Sequence, residues 1–158
     1  MKKTALLISL ISLAFASCKQ TSKEAQKNTE AQTETQTVET EHHPDSEWVN
    51  EIVLNNGFKW QANQETTDGV VAMLALIGKS KLSSREDYKK LGDSLNEVKN
   101  TVVKECTMKG ASHDNLHVWL HPLIEKIKLL QNTGSVEEGA KLTSNIKEHL
   151  EGYYEYFN

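Results

Sequence analysis

One short segment of the chain concentrates side chains that bind transition metals. Its sequence, "ECTMKGASHDNLHVWLHP", holds Cys106, Met108, His113, His117 and His121, in a chain with only two cysteines, three methionines and six histidines. A thiolate, a thioether and imidazoles form a mixed sulfur and nitrogen ligand set that suits Cu(I) or Zn(II). The segment therefore predicts a metal site.

The three histidines recur every four residues. Two histidines four apart lie on the same side of a helix and can share one metal ion. At about 100° per residue, His113 and His117 flank the apolar stripe, whereas His121 turns toward solvent. His113 and His117 are therefore the better candidates for metal ligands, and His121 is a possible outer member of the site. The alternative is a pair of boundary histidines that water satisfies, with Cys106 as a small buried hydrophobe.

Further residues could support such a site. His149 lies seven residues after Leu142, on the expected core side of the last helix, and is a reserve ligand. The carboxylates of Asp114 and Glu105 could orient an imidazole from outside the ligand shell.

Four segments with helical periodicity predict the elements that position these residues. The first helix is expected over 64–80, with Asn63 as its N-cap. The second is expected to reach Met108 and to stop at Gly110, since glycine favours helix C-termini. Capping boxes favour helix starts at three pairs: Ser83 with Glu86, Ser84 with Asp87, and Ser135 with Glu138.

The third helix is expected to begin at the N-cap Ser112. Pro122 lies inside it and predicts a kink near His121, because proline removes a backbone donor and crowds the preceding turn. The fourth helix is expected to turn five residues toward the core: Leu142, Ile146, Leu150, Tyr153 and Phe157.

Short connections between four helices predict an all-α, up-down-up-down bundle. The domain is expected over residues 47–158, with residues 47–62 as an N-terminal lid that carries Trp48, Phe58 and Trp60. In this topology the metal-ligand segment, the lid and the C-terminal "YYEYF" share one end of the bundle.

The N-terminus is typical of a targeting segment: basic "MKK", the apolar "TALLISLISLAFA", then small residues before Cys18. It resembles a bacterial lipoprotein signal, which implies removal of residues 1–17, a lipid on Cys18 and a membrane anchor in the cell envelope. The departure is Phe15, where that signal usually carries Leu, Val or Ile. An ordinary secreted protein or an uncleaved anchor is the alternative.

Residues 18–46 are rich in Thr, Gln and Glu and are expected to form a disordered tether, with His42 and His43 in it. Removing residues 1–17 removes two lysines and no acids, which changes the net charge from −4 to −6. This charge argues against a nucleic-acid partner. If Cys18 is lipidated, Cys106 has no disulfide partner in the chain. An unpaired cysteine in an oxidising envelope is then expected to be buried, to bind a metal or to pair with a second chain.

The predicted bundle resembles the soluble periplasmic four-helix cytochromes of the b type over most of residues 64–158. The last helix, "GSVEEGAKLTSNIKEHLEGYYEYF", is similar in its opening glycine, acidic start and aromatic tail. The resemblance implies the fold, and in that family haem lies between an early methionine and a late histidine. Here Tyr154 stands at the late position, Met73 comes too late in the first helix, and no C-x-x-C-H motif occurs. The pattern "CTMKGxxHDxLHxWLxP" is also similar to small Gram-negative lipoproteins of unassigned function.

These observations favour a lipid-anchored envelope protein that binds copper or zinc for sequestration, sensing or delivery. One alternative is an interaction module that binds an envelope protein without metal. Another is a haem protein with altered ligands. An enzyme is not expected, because the sequence shows no nucleophile–base arrangement.

Overall fold

The structure, a computed structural model, describes residues 44–158. The predicted all-α four-helix bundle is confirmed. The predicted signal peptide, Cys18, His42 and His43 lie outside the described residues. The elements are a short 3-10 helix (Pro44–Asn50), α1 (Gln64–Lys79), α2 (Arg85–Glu105), α3 (Ala111–Gln131) and α4 (Val136–Tyr156).

The starts of α2 and α4 follow the predicted capping residues. At α2, the Ser84 hydroxyl accepts from the backbone N–H of Asp87 at 3.2 Å, and the Asp87 carboxylate accepts from the backbone N–H of Ser84 at 2.9 Å. Hydrogen bonds from Ser84 and then Ser83 lower the pKa of Asp87 to about 2. At α4, the Ser135 hydroxyl accepts from the backbone N–H of Glu138 at 3.1 Å.

The connection between α2 and α3 differs from the prediction. Helix α2 was expected to reach Met108, but it ends at Glu105, and Cys106 is its C-cap with extended backbone angles (φ −64°, ψ 120°). Gly110 does not stop α2. It is the N-cap of α3, with φ 62° and ψ −147°. The predicted N-cap Ser112 is inside α3. The chain stops α2 early because Cys106 and Met108 pack against the hydrophobic core, which an extended connection permits.

Pro122 lies inside α3, and the helix continues through it to Gln131. Trp119 and Leu123, which lie before and after Pro122 in α3, are completely buried. Tertiary packing therefore supports the helix where proline removes one backbone hydrogen bond.

The helices form a closed ring in which each packs on the next and α1 packs on α4. This arrangement agrees with the predicted up-down-up-down topology. The inward stripe predicted for α4 is buried at Ile146, Leu150, Tyr153 and Phe157, and Leu142 is half-buried. No helix within residues 44–158 combines the length and the apolar character that crossing a bilayer requires.

The lid, residues 47–62, closes one end of the bundle. Trp48 is buried against the ring of His149, at a centroid distance of 4.7 Å. The backbone N–H of Trp60 donates to the carbonyl of Tyr156 at 2.7 Å. The lid thus holds the C-terminal tail beside the start of α1, as the topology predicted.

Candidate functional site

Helix α3 brings three imidazole rings into direct contact on one face. The Nε2 atoms of His113 and His117 are 3.2 Å apart, and the Nδ1 atom of His117 is 3.0 Å from the Nε2 atom of His121. The ring centroids are 4.4 Å and 4.9 Å apart, with edge-to-face orientations. We call these three side chains the histidine row.

Two proton arrangements with a neutral central ring satisfy the contacts in the histidine row. A neutral imidazole carries one N–H donor and one acceptor nitrogen. His117 either donates from Nδ1 to His121 and accepts from His113, or donates from Nε2 to His113 and accepts from His121. In both cases the central ring is neutral, whereas a charged His117 would instead donate from both of its nitrogens to the Nε2 atoms of its neighbours.

The electrostatics of the histidine row favour the neutral form of its central ring. The pKa of His117 is lowered below its ordinary value, first by burial and then by the charges that His113 and His121 would carry. Asp114 opposes this shift. Neutral imidazole is the form that binds metals, so the lowered pKa keeps a nitrogen lone pair available.

Helix α2 supplies the opposite wall of a pocket beside the histidine row. The pocket has a volume of about 180 Å³, and Cys106 lines it together with all three histidines. The thiol of Cys106 is free and half-buried. The remaining lining is apolar: Val102, Val103, Leu116, Leu120 and Ile124. One cysteine and three histidines of the predicted set therefore share one pocket.

Other predicted site residues have different surroundings. Met108 is half-buried and packs against the hydrophobic core. The Glu105 carboxylate forms an exposed ion pair with Lys104 at 3.0 Å. Asp114 is exposed in the first turn of α3.

His149, the reserve ligand, is buried and both of its ring nitrogens have partners. Its Nε2–H donates to the carbonyl of Trp119 at 2.7 Å, and its Nδ1 accepts from the Lys126 ammonium at 3.2 Å. Burial and then the charge of Lys126 lower its pKa from 6.5 to about 4. In this arrangement neither nitrogen of His149 is free for a metal.

Lys126 is a feature that the sequence analysis missed. This residue is 7% exposed and lies next to the apolar stripe of α3. The signal in the sequence was its position directly before the buried Ile127, but a long side chain there usually reaches solvent. Only the packing of α4 against α3 brings its ammonium to His149.

Within residues 44–158, no three His, Cys, Asp or Glu side chains are already arranged around a common point that could hold a metal ion. The histidine row explains part of this result. His117 directs Nε2 at His113 and Nδ1 at His121, and one ring cannot offer both nitrogens to the same ion. The arrangement therefore offers a two-imidazole site, to which further ligands would have to be added.

Tyr154 is the residue that the resemblance to the cytochromes placed at the haem-histidine position. This residue is half-buried, and its ring centroid lies 5.4 Å from that of Tyr153. Comparisons of the chain with protein-family models, with curated proteins and with solved structures find no match.

Proposed function

We propose that this chain is a membrane-anchored envelope lipoprotein that binds a copper or zinc ion beside α2 and α3. The ion would be held for sequestration, sensing or delivery. The observation that carries the proposal is the histidine row. His117 lies within hydrogen-bond distance of both His113 and His121, and the three imidazoles line a pocket that also contains a free thiol, so copper or zinc ligands are gathered in one place.

Cys106 is the proposed third ligand. It lies at the C-cap of α2, where the helix has ended and the backbone is extended. A small adjustment of residues 106–109 would change the distance between the thiol and the histidine row. A thiolate ligand would add the soft donor that favours Cu(I) or Zn(II) over harder cations.

The test is direct metal titration of the protein. Apo protein is titrated with Zn(II) and with Cu(I) under reducing conditions, and the purified protein is assayed for bound elements. Cys106→Ser and His117→Ala should each weaken binding by at least about tenfold, because each removes a ligand. Glu125→Gln, an exposed change one turn beyond His121 on α3, is the control for general loss of negative charge. If Cys106→Ser and His117→Ala both bind like the parent protein, the proposed site is wrong.

A second candidate function is binding of an envelope protein through the lid. Its support is a group of exposed apolar side chains: Val53 is 58% exposed and Phe58 75% exposed, and Leu54 is also exposed. Phe58 stands at the end of a tight turn in which Asn56 and Gly57 have positive φ. Clustered apolar groups on a surface are typical of interaction sites. A photo-crosslinking residue at position 58 should then capture one partner in intact cells, whereas the same residue at the exposed position 155 should not.

Haem binding with altered ligands is a third candidate, supported by the resemblance to the cytochromes and by the four-helix fold alone. Titration of the same apo protein with haem distinguishes it. A sharp visible absorption band that saturates at one equivalent of haem would favour haem over a bare ion. Replacing the histidine or tyrosine that binds the haem should abolish this band.

A further inference from the structure

We infer that the proposed metal site is built on the Nε2 atoms of His113 and His117, takes a borderline divalent cation such as Zn(II), and uses His121 as a positioning residue rather than as a ligand. This inference rests on the proposed function, and it assigns a separate role to each member of the histidine row.

The distance between the two Nε2 atoms fits two bonds to one ion. Zinc binds imidazole nitrogen at about 2.0–2.1 Å. With the 3.2 Å separation of these atoms, bonds of that length enclose an angle of about 100° at the metal, close to the tetrahedral value. The observed spacing on α3 therefore requires little more than a rotation of the rings.

Metal binding selects one of the two proton arrangements of the histidine row. For His117 to offer the Nε2 lone pair, its proton must be on Nδ1, which lies 3.0 Å from the Nε2 atom of His121. The Nδ1–H group of His117 then donates a hydrogen bond to the Nε2 atom of His121. His113 likewise loses the proton on Nε2 to solvent and takes one up on Nδ1, so two neutral rings bind the ion without net proton release.

This arrangement gives His121 its role. Histidine ligands usually donate their other ring N–H to a neighbouring acceptor, which fixes the tautomer and the orientation of the ring. The Nε2 atom of His121 is that acceptor for His117. The same contact prevents His121 from binding the shared ion. The Nε2 lone pair of His121 accepts the hydrogen bond from Nδ1 of His117, which faces away from His113 and the ion.

The class of cation follows from the donors that reach the pocket. A set of thioethers and thiolates suits Cu(I), whereas thiolate together with imidazole suits Zn(II), and imidazole also suits Ni(II) and Cu(II). Met108 does not line the pocket that Cys106 shares with the three histidines, so the thioether of the predicted set is not at the site. Two imidazoles with one thiol nearby therefore favour a borderline divalent ion over Cu(I).

The test uses the full chain with His42→Gln and His43→Gln in every sample, so that those two imidazoles make no contribution. Zn(II) is added while long-range proton–nitrogen spectra of the histidine rings are recorded. The expected result is coordination at the Nε2 atoms of His113 and His117, a retained proton on Nδ1 of His117, and an uncoordinated His121.

The variants of His121 separate positioning from ligation. His121→Leu should weaken Zn(II) binding about 10- to 100-fold, the usual effect of losing an outer partner. His121→Gln should restore most of this loss, because the amide oxygen can accept the Nδ1–H proton of His117. His121 is exposed, so both variants are expected to fold, which helical circular dichroism checks.

The failures of the two proposals are distinguishable. Absence of Zn(II) and Cu(I) binding at micromolar concentrations overturns the proposed function. Binding in which the Nε2 atom of His121 is coordinated, or in which Cu(I) binds more tightly than Zn(II) through Cys106, overturns this inference alone. Equal affinity in His121→Leu and the parent protein also overturns it.

Discussion

At the scale of single residues, the histidine row and His149 have opposite environments. The histidine row lies at the edge of a pocket, where its nitrogens contact one another. His149 lies in the core between the Lys126 ammonium and the carbonyl of Trp119, with the ring of Trp48 packed on it. A charged imidazole would be costly there because it would be desolvated and beside a cation.

His149 makes the stability of the fold depend on pH. Its pKa is about 4 in the folded protein, against 6.5 for an ordinary histidine, so the unfolded chain binds more protons between these values. Its contribution is fully present above a pH of about 6.5 and is lost progressively as the pH falls toward 4. The loss should reach at most about 3 kcal/mol of the free energy of unfolding.

Urea unfolding of the parent protein and of His149→Gln from pH 7.5 to 4 measures this effect. The parent should lose more stability than the variant over that interval, and the two curves should run parallel above pH 7. Parallel curves down to pH 4 would contradict a buried neutral His149.

At the scale of elements, the connection between α2 and α3 positions the candidate site. Gly110 allows the chain to turn from the extended residues after Cys106 into α3. Its backbone angles, φ 62° and ψ −147°, lie near a region that is essentially restricted to glycine. The direction in which α3 leaves this turn determines where the histidine row lies relative to the residues of α2 that line the pocket.

Gly110→Ala should therefore lower the free energy of unfolding by about 1–3 kcal/mol, because alanine strains this backbone conformation. Thermal unfolding measures the change. Gly78→Ala is the matched control: Gly78 lies in α1, and a Cβ there would meet open space, so this change should be neutral or slightly stabilising. Equal effects of the two changes would show that the turn imposes no constraint.

At the scale of the whole molecule, the proposed envelope function depends on attachment of the chain through Cys18. Cys18→Ser should abolish incorporation of labelled fatty acid and move the protein from the membrane fraction to the soluble fraction. Cys106→Ser should leave both properties unchanged, since Cys106 is half-buried in the bundle. Unchanged membrane attachment in Cys18→Ser would show that the N-terminus anchors the protein by another means.

The sequence by itself determined what depends on near neighbours. Helical periodicity predicted four helices, the serine and carboxylate pairs predicted the starts of α2 and α4, and the four-residue spacing predicted that His113 and His117 share one face. These features were predictable because capping and side-chain contacts within a helix act over three or four residues.

The tertiary structure decided what depends on distant parts of the chain. Packing of Cys106 and Met108 against the core ended α2 three residues before the predicted limit, and packing of α4 on α3 placed Lys126 beside His149. Close helix contacts also explain Gly69 inside α1, because a Cβ there would overlap the Val102 side chain. Such contacts join residues tens of positions apart, and no local pattern specifies them, because their energies arise only once the helices pack.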